Sequence, residues 1–139
     1  MDVLVVEDHP VNRMILEAWM GSTGHRTSTA ENGQLAVQLA KSQRFDLIIM
    51  DVNMPVMDGL TATQLIREGG GVNVDTPIVV LSASARVEDH EAGLAAGADA
   101  YLNKPIDFRS LAGLMAQVPG GRAALRQLNE ATEEPAVAA

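Results

Sequence analysis

Residues 46–59, DLIIMDVNMPVMDG, constrain the fold more than any other stretch of the chain. The apolar run at 47–50 has no polar alternation and includes β-branched residues, which is typical of a short strand buried on both faces. Asp51 follows this run directly, so we expect its carboxylate at the carboxyl end of a central strand. Taken alone, that position also suits an ordinary turn or cap residue before the helix that begins near Asp58 and Gly59.

Two more apolar runs, at 3–6 and 78–81, predict two further central strands. The polar stretch 25–29 and the short stretch 100–102 predict edge strands. Five strands that alternate with five helical segments predict an α/β fold with a parallel sheet covered on both faces. Right-handed crossovers, with the apolar strands in the middle, favour the strand order 2-1-3-4-5 of the flavodoxin-like fold.

Two helices carry more specific expectations. In the first helix, which begins at Pro10 and is expected to stop at Gly21 or Gly24, five apolar residues recur at helical spacing and predict the buried stripe. These residues are Val11, Met14, Ile15, Ala18 and Trp19. The fourth helix, at 86–96, is weakly encoded, because Gly93 in its interior costs about 1 kcal/mol relative to alanine.

Composition narrows the class of protein. The 139 residues, 47% of them apolar, suit one domain over 1–118, followed by a tail at 119–139 that is partly helical, over 122–128, or disordered. No apolar run approaches the roughly 18 residues of a membrane span, so no membrane partner is expected. The absence of cysteine fits a cytoplasmic protein. The net charge of −8 would repel phosphate backbones, so no nucleic-acid partner is expected.

The residues that follow the predicted strands are rich in charge. Glu7 and Asp8 follow the first strand, Asp51 the third, Ser82 the fourth and Lys104 the fifth. Parallel strands present their carboxyl ends at one rim of the sheet, where ligands bind. Carboxylates brought close together raise the cost of ionising one another, and a hard divalent cation such as Mg²⁺ would relieve that repulsion.

Phosphoryl transfer fits this set of groups. Asp51 is placed to act as a nucleophile that takes a phosphoryl group, as carboxylates can. Mg²⁺ and Lys104 would neutralise charge on the phosphoryl oxygens, and Ser82 can donate a hydrogen bond to them.

With these residues in place, the chain resembles receiver domains of the two-component response-regulator family over about residues 1–118. Four ordered motifs carry the resemblance, and their residues are most similar to those of receivers attached to hybrid histidine kinases. They are VVEDHPVNR at 5–13, MDVNMPVMDG at 50–59, LSA at 81–83 and YLNKP at 101–105.

The resemblance implies a role for each residue of the rim. Asp51 would be the phospho-acceptor, and Glu7, Asp8 and Asp51 would bind Mg²⁺ together with the backbone carbonyl of Asn53. The other implied features are phosphoryl contacts from Ser82 and Lys104, a switch aromatic at Tyr101, and a cis Lys104–Pro105 bond.

The resemblance implies that the chain is a signalling domain of a phosphorelay and not an enzyme. It would nevertheless assist its own phosphorylation and dephosphorylation. A histidine kinase or histidine phosphotransfer protein would supply the phosphoryl group. A downstream protein would read the face of helix 4, strand 5 and helix 5. The chain is expected to be a single-domain regulator; the alternative is a receiver cut from a hybrid histidine kinase.

Two other functions remain open at this point. An Asp-based phosphatase of the haloacid-dehalogenase kind needs a second aspartate two positions after the nucleophile, where this chain has Asn53. A pseudo-receiver that only binds partners would not need the complete set of pocket residues.

Overall fold

The structure, a computed structural model, describes residues 1–133 and the side chains as far as residue 130. Five parallel strands form one sheet in the order β2-β1-β3-β4-β5, which confirms the predicted order. The strands are β1 (Asp2–Val6), β2 (Arg26–Ala30), β3 (Leu47–Asp51), β4 (Ile78–Ser82) and β5 (Ala100–Asn103).

Six α-helices connect and follow the strands in the described part of the chain. They are α1 (Pro10–Ser22), α2 (Gly33–Ser42), α3 (Gly59–Glu68), α4 (Val87–Ala96), α5 (Phe108–Ala116) and α6 (Gly121–Glu133). The last of them is longer than the helical piece predicted at 122–128, and the rest of the predicted tail, 134–139, lies outside the described residues. None of the described helices has the length and apolar character needed to cross a membrane.

Alternate residues of the central strands point into two core layers. On one face of the sheet, Val3 and Val5 pack with residues of α1, α5 and α6. On the other face, Leu4 and Val6 pack with residues of α2 and α3. All five residues of β3 and of β4 are buried, as the unbroken apolar runs predicted. Asp51 and Ser82, the last residues of these strands, are therefore held on rigid elements.

The predicted buried stripe of α1 is wrong for all of its residues except Trp19, which is half-buried against the core. Val11, Met14 and Ile15 are 54%, 66% and 49% exposed, whereas the residues of α1 buried against the sheet are Leu16 and Met20. The helix carries apolar residues on two faces, and periodicity alone does not show which face meets the sheet. Trp19 lies at the border of the two faces and packs against Phe108, with ring centroids 5.1 Å apart.

The ends of several helices follow the expected capping chemistry. Pro10 opens α1, and the helix runs past Gly21 to Ser22. Asp58 caps α3, because its Oδ1 accepts a hydrogen bond from the backbone N–H of Thr61 at 2.9 Å. Gly97 ends α4 in the left-handed conformation, with φ at 111°.

Candidate functional site

Three carboxylates meet at the carboxyl ends of β1 and β3. Glu7 and Asp51 are each 1% exposed, while Asp8 is exposed. One carboxylate oxygen from each of the three lies within 4.8 Å of the other two. Parallel pairing of β1 with β3 brings these residues together, as the positions after the strands predicted.

Lys104 reaches this acidic cluster from the residue after β5. Its Nζ lies 3.0 Å from Asp51 Oδ1 and donates to Glu7 Oε1 at 3.3 Å. Its backbone N–H donates to the carbonyl oxygen of Ser82 at 2.7 Å, which ties the end of β5 to the end of β4. The Lys104–Pro105 peptide bond is cis, as the resemblance implied.

Burial and charge alter the acid–base behaviour of the cluster. Burial, and to a lesser extent the adjacent Glu7, raise the pKa of Asp51 to about 7 against the opposing effect of Lys104. For Glu7, burial also favours the neutral acid, but Asp51, Lys104 and Asn12 outweigh it and lower its pKa. For Lys104, burial favours the neutral amine, but Asp51 and Glu7 outweigh it and raise its pKa.

The buried carboxylates have unused acceptor capacity. Glu7 Oε2 and both carboxylate oxygens of Asp51 are buried and accept no hydrogen bond from the described residues, although Lys104 forms an ion pair with Asp51. Buried polar oxygens are normally satisfied. A hard cation that takes oxygen ligands satisfies them, and Mg²⁺ suits a site with a few carboxylates and room for waters. The residues present therefore fit Mg²⁺.

The backbone behind Asp51 is also closely packed. The N–H of Gly59 donates to the carbonyl oxygen of Val52 at 2.9 Å, and a Cβ on Gly59 would overlap the carbonyl oxygen of Asp51. Only glycine allows this approach of two backbones. The sequence reasoning missed this role, although the Asp58-Gly59 pair at the start of α3 was its signal.

Three predicted residues lie outside the carboxylate cluster. Ser82 ends β4, is 3% exposed, and accepts a hydrogen bond at Oγ from the N–H of Ser84 at 3.0 Å. Asn53 is exposed in the loop after β3. Tyr101 is 7% exposed, and its ring lies 3.8 Å from the ring of His90 in α4. The Tyr101 ring also explains why residue 93 is a glycine, because a Cβ at that position would lie 3.1 Å from the ring.

The sequence model of the response regulator receiver domain matches residues 3–116 of the chain. The chain belongs to this family. It is a receiver domain of two-component phosphorelays, a phospho-acceptor signalling domain. Four strand-end motifs, the strand order and the acidic cluster agree with that membership.

Curated relatives of the receiver domain occur in proteins of very different length. Over 113 residues the chain is 43% identical to hybrid signal transduction histidine kinase G of Dictyostelium discoideum, covering 80% of this chain and 3% of the kinase. Over 119 residues it is 40% identical to two-component response regulator ORR41 of Oryza sativa subsp. japonica, covering 83% of this chain and 91% of the regulator. The chain thus spans a small part of the kinases it matches.

Solved structures of receiver domains superpose on most of the chain. The receiver domain of sensor histidine kinase PA1611 from Pseudomonas aeruginosa PAO1, with magnesium in its active-site cleft, is 38% identical at a TM-score of 0.79 and covers 86% of this chain and 98% of that one. The receiver domain of Saccharomyces cerevisiae Ssk1, in complex with the histidine phosphotransfer protein Ypd1, is 32% identical at a TM-score of 0.75 and covers 81% and 83%.

The exposed face of α1 is a second feature that the sequence reasoning missed. Ile15 borders a groove of about 510 Å³ beside the acidic cluster. The residues that line it are Glu7, Asn12, Ile15, Leu16, Lys104, Pro105, Ile106 and Phe108. Val11 and Met14 extend the same apolar surface along α1. We call Val11, Met14 and Ile15 the α1 patch; helical spacing alone does not distinguish its face from the face of Leu16 and Met20.

Proposed function

We propose that Asp51 accepts a phosphoryl group from a phosphohistidine of a histidine kinase or histidine phosphotransfer protein. The observation that carries the proposal is the buried Asp51 carboxylate, which faces Lys104 at 3.0 Å and accepts no hydrogen bond from the described residues. A carboxylate oxygen of Asp51 attacks phosphorus, and the phosphorus–nitrogen bond breaks. The bonding electrons go to the imidazole nitrogen of the donor, and Asp51 becomes an acyl phosphate.

The other rim residues stabilise this transfer. Glu7, Asp8, Asp51 and the backbone carbonyl of Asn53 would hold Mg²⁺, which when bound supplies positive charge to the phosphoryl oxygens. Lys104 supplies a second positive charge from the side of β5, and the Ser82 hydroxyl donates a hydrogen bond to the phosphoryl group. These groups assist both the formation and the hydrolysis of the acyl phosphate.

The α1 patch supports a phosphohistidine protein as the donor. Three exposed apolar side chains on one helix are a surface for a partner helix, and the adjoining groove leads to Glu7 and Lys104. The related yeast receiver was crystallised with a histidine phosphotransfer protein. We infer that the donor docks on the α1 patch, which brings its phosphohistidine over Asp51.

Replacing Ile15 with aspartate is expected to slow phosphoryl transfer from a phosphohistidine protein by about tenfold, the effect of losing roughly 1.4 kcal/mol of docking energy. Labelling by acetyl phosphate should not change, because that small donor makes no contact with the α1 patch. The measurement is transfer rate from both donors under identical conditions.

Val72→Asp is the matched control, because Val72 is also about half exposed but lies in the connection between α3 and β4. It should leave both rates unchanged. If Ile15→Asp slowed both donors equally, it would have disturbed the acceptor site, and the α1 patch would not be the docking surface.

We propose that Ser82 and Tyr101 form the switch. The Ser82 hydroxyl turns to the phosphoryl group, a directional hydrogen bond to a charged acceptor. Tyr101 and α4 then repack, since the Tyr101 ring lies against His90 and Gly93 of that helix. The surface of α4, β5 and α5 carries the change to a downstream protein.

Ser82→Ala and Tyr101→Ala are expected to bind beryllofluoride, a phosphoryl mimic, with Mg²⁺ but to lose most of the resulting change in α4. Amide chemical shifts of residues 87–96 with and without the mimic measure this. Ser42→Ala, at the exposed end of α2, is the control and should keep the wild-type shifts. Wild-type responses in both switch variants would place the switch elsewhere.

We propose that residues 1–118 form the receiver unit and that α6 is an addition to it, consistent with the family match at 3–116. A cytoplasmic location is proposed with this function, because the kinases that donate the phosphoryl group need ATP. The same mechanism serves a separate regulator or a receiver within a hybrid kinase.

A further inference from the structure

Helix α6 lies along the free edge of the sheet. Within residues 1–133, β5 pairs with β4 on one side, and α6 packs beside it. Leu125 of α6 has no exposed surface and belongs to the core on the α1 and α5 face. The backbone N–H of Tyr101 donates to Asn129 Oδ1 at 3.0 Å in a buried hydrogen bond. An edge strand normally leaves such groups open to a partner chain, and here α6 satisfies one of them.

The first half of α6 is firmly anchored by charge. Asp99 is fully buried, and its Oδ1 accepts from Arg122 Nε at 2.8 Å and from Arg126 Nε at 3.1 Å. Arg67 pairs with the other oxygen at 2.8 Å. Detaching this half would remove two cations from a buried carboxylate, which is costly. We therefore expect residues 121–126 to stay in place when the domain rearranges.

The second half of α6 has a different kind of attachment. Leu128 and Asn129 line a groove with His90, Tyr101 and Leu102, and Asn129 accepts a hydrogen bond from Tyr101, so this half borders the residues proposed to switch. The groove also connects to the acceptor site, because His90 Nε2 lies 3.3 Å from Asn103 Oδ1 and the next residue, Lys104, contacts Asp51. A change at Asp51 thus reaches the surface under Leu128 and Asn129 through the end of β5.

We propose that the second half of α6, residues 127–133, is a latch on the β5 edge that phosphorylation of Asp51 releases, which uncovers this edge and groove. The inference rests on the proposed phospho-acceptor function. Release is favoured over tightening because the contacts of this half are already made: Asn129 accepts from Tyr101, and Leu128 and Asn129 line the groove beside Tyr101. Repacking of Tyr101 and α4 away from this arrangement would remove these contacts, and the docking equilibrium of residues 127–133 would shift by the resulting difference in contact free energy.

Hydrogen exchange of the full chain, followed by mass spectrometry with and without beryllofluoride and Mg²⁺, tests the latch. Amides at 127–133 are expected to exchange about fivefold faster with the mimic. Loss of one hydrogen bond raises the equilibrium constant for local opening by about this factor, and the exchange rate rises with it. Amides at 121–126 should keep their protection, because Asp99 holds that half. Unchanged exchange at 127–133, or equal acceleration of both halves, would overturn the proposal.

Asn129→Ala supplies the matched variant. It removes the acceptor for Tyr101 N–H, so residues 127–133 should exchange faster without the mimic and respond less to it. Gln127→Ala, an exposed position in the same helix, should behave as wild type.

Mass spectrometry after acetyl phosphate treatment distinguishes a failure of the acceptor function from a failure of the latch. A chain that takes no phosphoryl group refutes the acceptor function, whereas a phosphorylated chain with an unmoved latch refutes the latch alone.

Discussion

Asp51→Asn is expected to abolish the phosphoryl group that the wild-type chain gains from acetyl phosphate and Mg²⁺. The amide of asparagine is not a nucleophile that forms an acyl phosphate, and Asp51 is the carboxylate that Lys104 contacts at 3.0 Å. Intact-protein mass spectrometry measures the result. The effect is all or none, because Asp51 supplies the atom that bonds to phosphorus.

Asp58→Asn is the control for this substitution. Asp58 is exposed and caps α3, and asparagine is an equally good cap, so the fold and the labelling should be retained. Equal labelling of Asp51→Asn and the wild-type chain would show that the phosphoryl group resides on another residue.

Mg²⁺ is expected to raise the free energy of unfolding by about 2.7 kcal/mol when its concentration is 100-fold above its dissociation constant. The cation would relieve the repulsion between Glu7, Asp8 and Asp51 and satisfy the buried oxygens. Asp8→Asn should remove most of this stabilisation and raise the stability of the metal-free protein, since it removes one of three like charges. Urea unfolding with Mg²⁺ or with a chelator measures both effects.

Glu68→Gln, an exposed acid in α3, is the control and should keep the full response to Mg²⁺. A lower metal-free stability for Asp8→Asn together with an undiminished Mg²⁺ response would contradict the cation site.

Protons compete with Mg²⁺ for the same carboxylate oxygens. Because the pKa of Asp51 is raised to about 7, Mg²⁺ affinity should be retained above that pH and fall as the pH decreases through it.

The same raised pKa determines how Asp51 contributes to the stability of the metal-free protein at different pH. A carboxylic acid with a higher pKa in the folded state binds more protons when folded. The contribution of Asp51 to stability is therefore greatest at low pH and is lost as the pH rises from about 4 to about 7.

Much of the fold follows from the sequence because its strongest signals are local. The apolar runs at 3–6, 47–50 and 78–81 need cover on both faces and so belong in the middle of the sheet, where β1, β3 and β4 lie. Since parallel strands share a rim, the residues after them could be placed near one another without knowledge of the packing. That is why Glu7 and Asp51 were predicted at the site.

The features that sequence reasoning missed depend on contacts between distant segments. The α1 patch was assigned to the core, because Val11 and Leu16 are equally apolar and only the packing of the sheet distinguishes their faces. The attachment of α6 depends on Asp99 and on the backbone of Tyr101, neither of which carries a local signal for a helix more than 20 residues later.

The most direct test of the central claim is to locate the phosphoryl group chemically. Borohydride reduces an aspartyl phosphate to homoserine, so the wild-type chain, treated with acetyl phosphate and Mg²⁺ and then reduced, should contain homoserine at position 51 in tandem mass spectra. Homoserine at position 8, or a phosphoryl group that survives reduction on Ser82, would contradict the assignment of Asp51 as the acceptor.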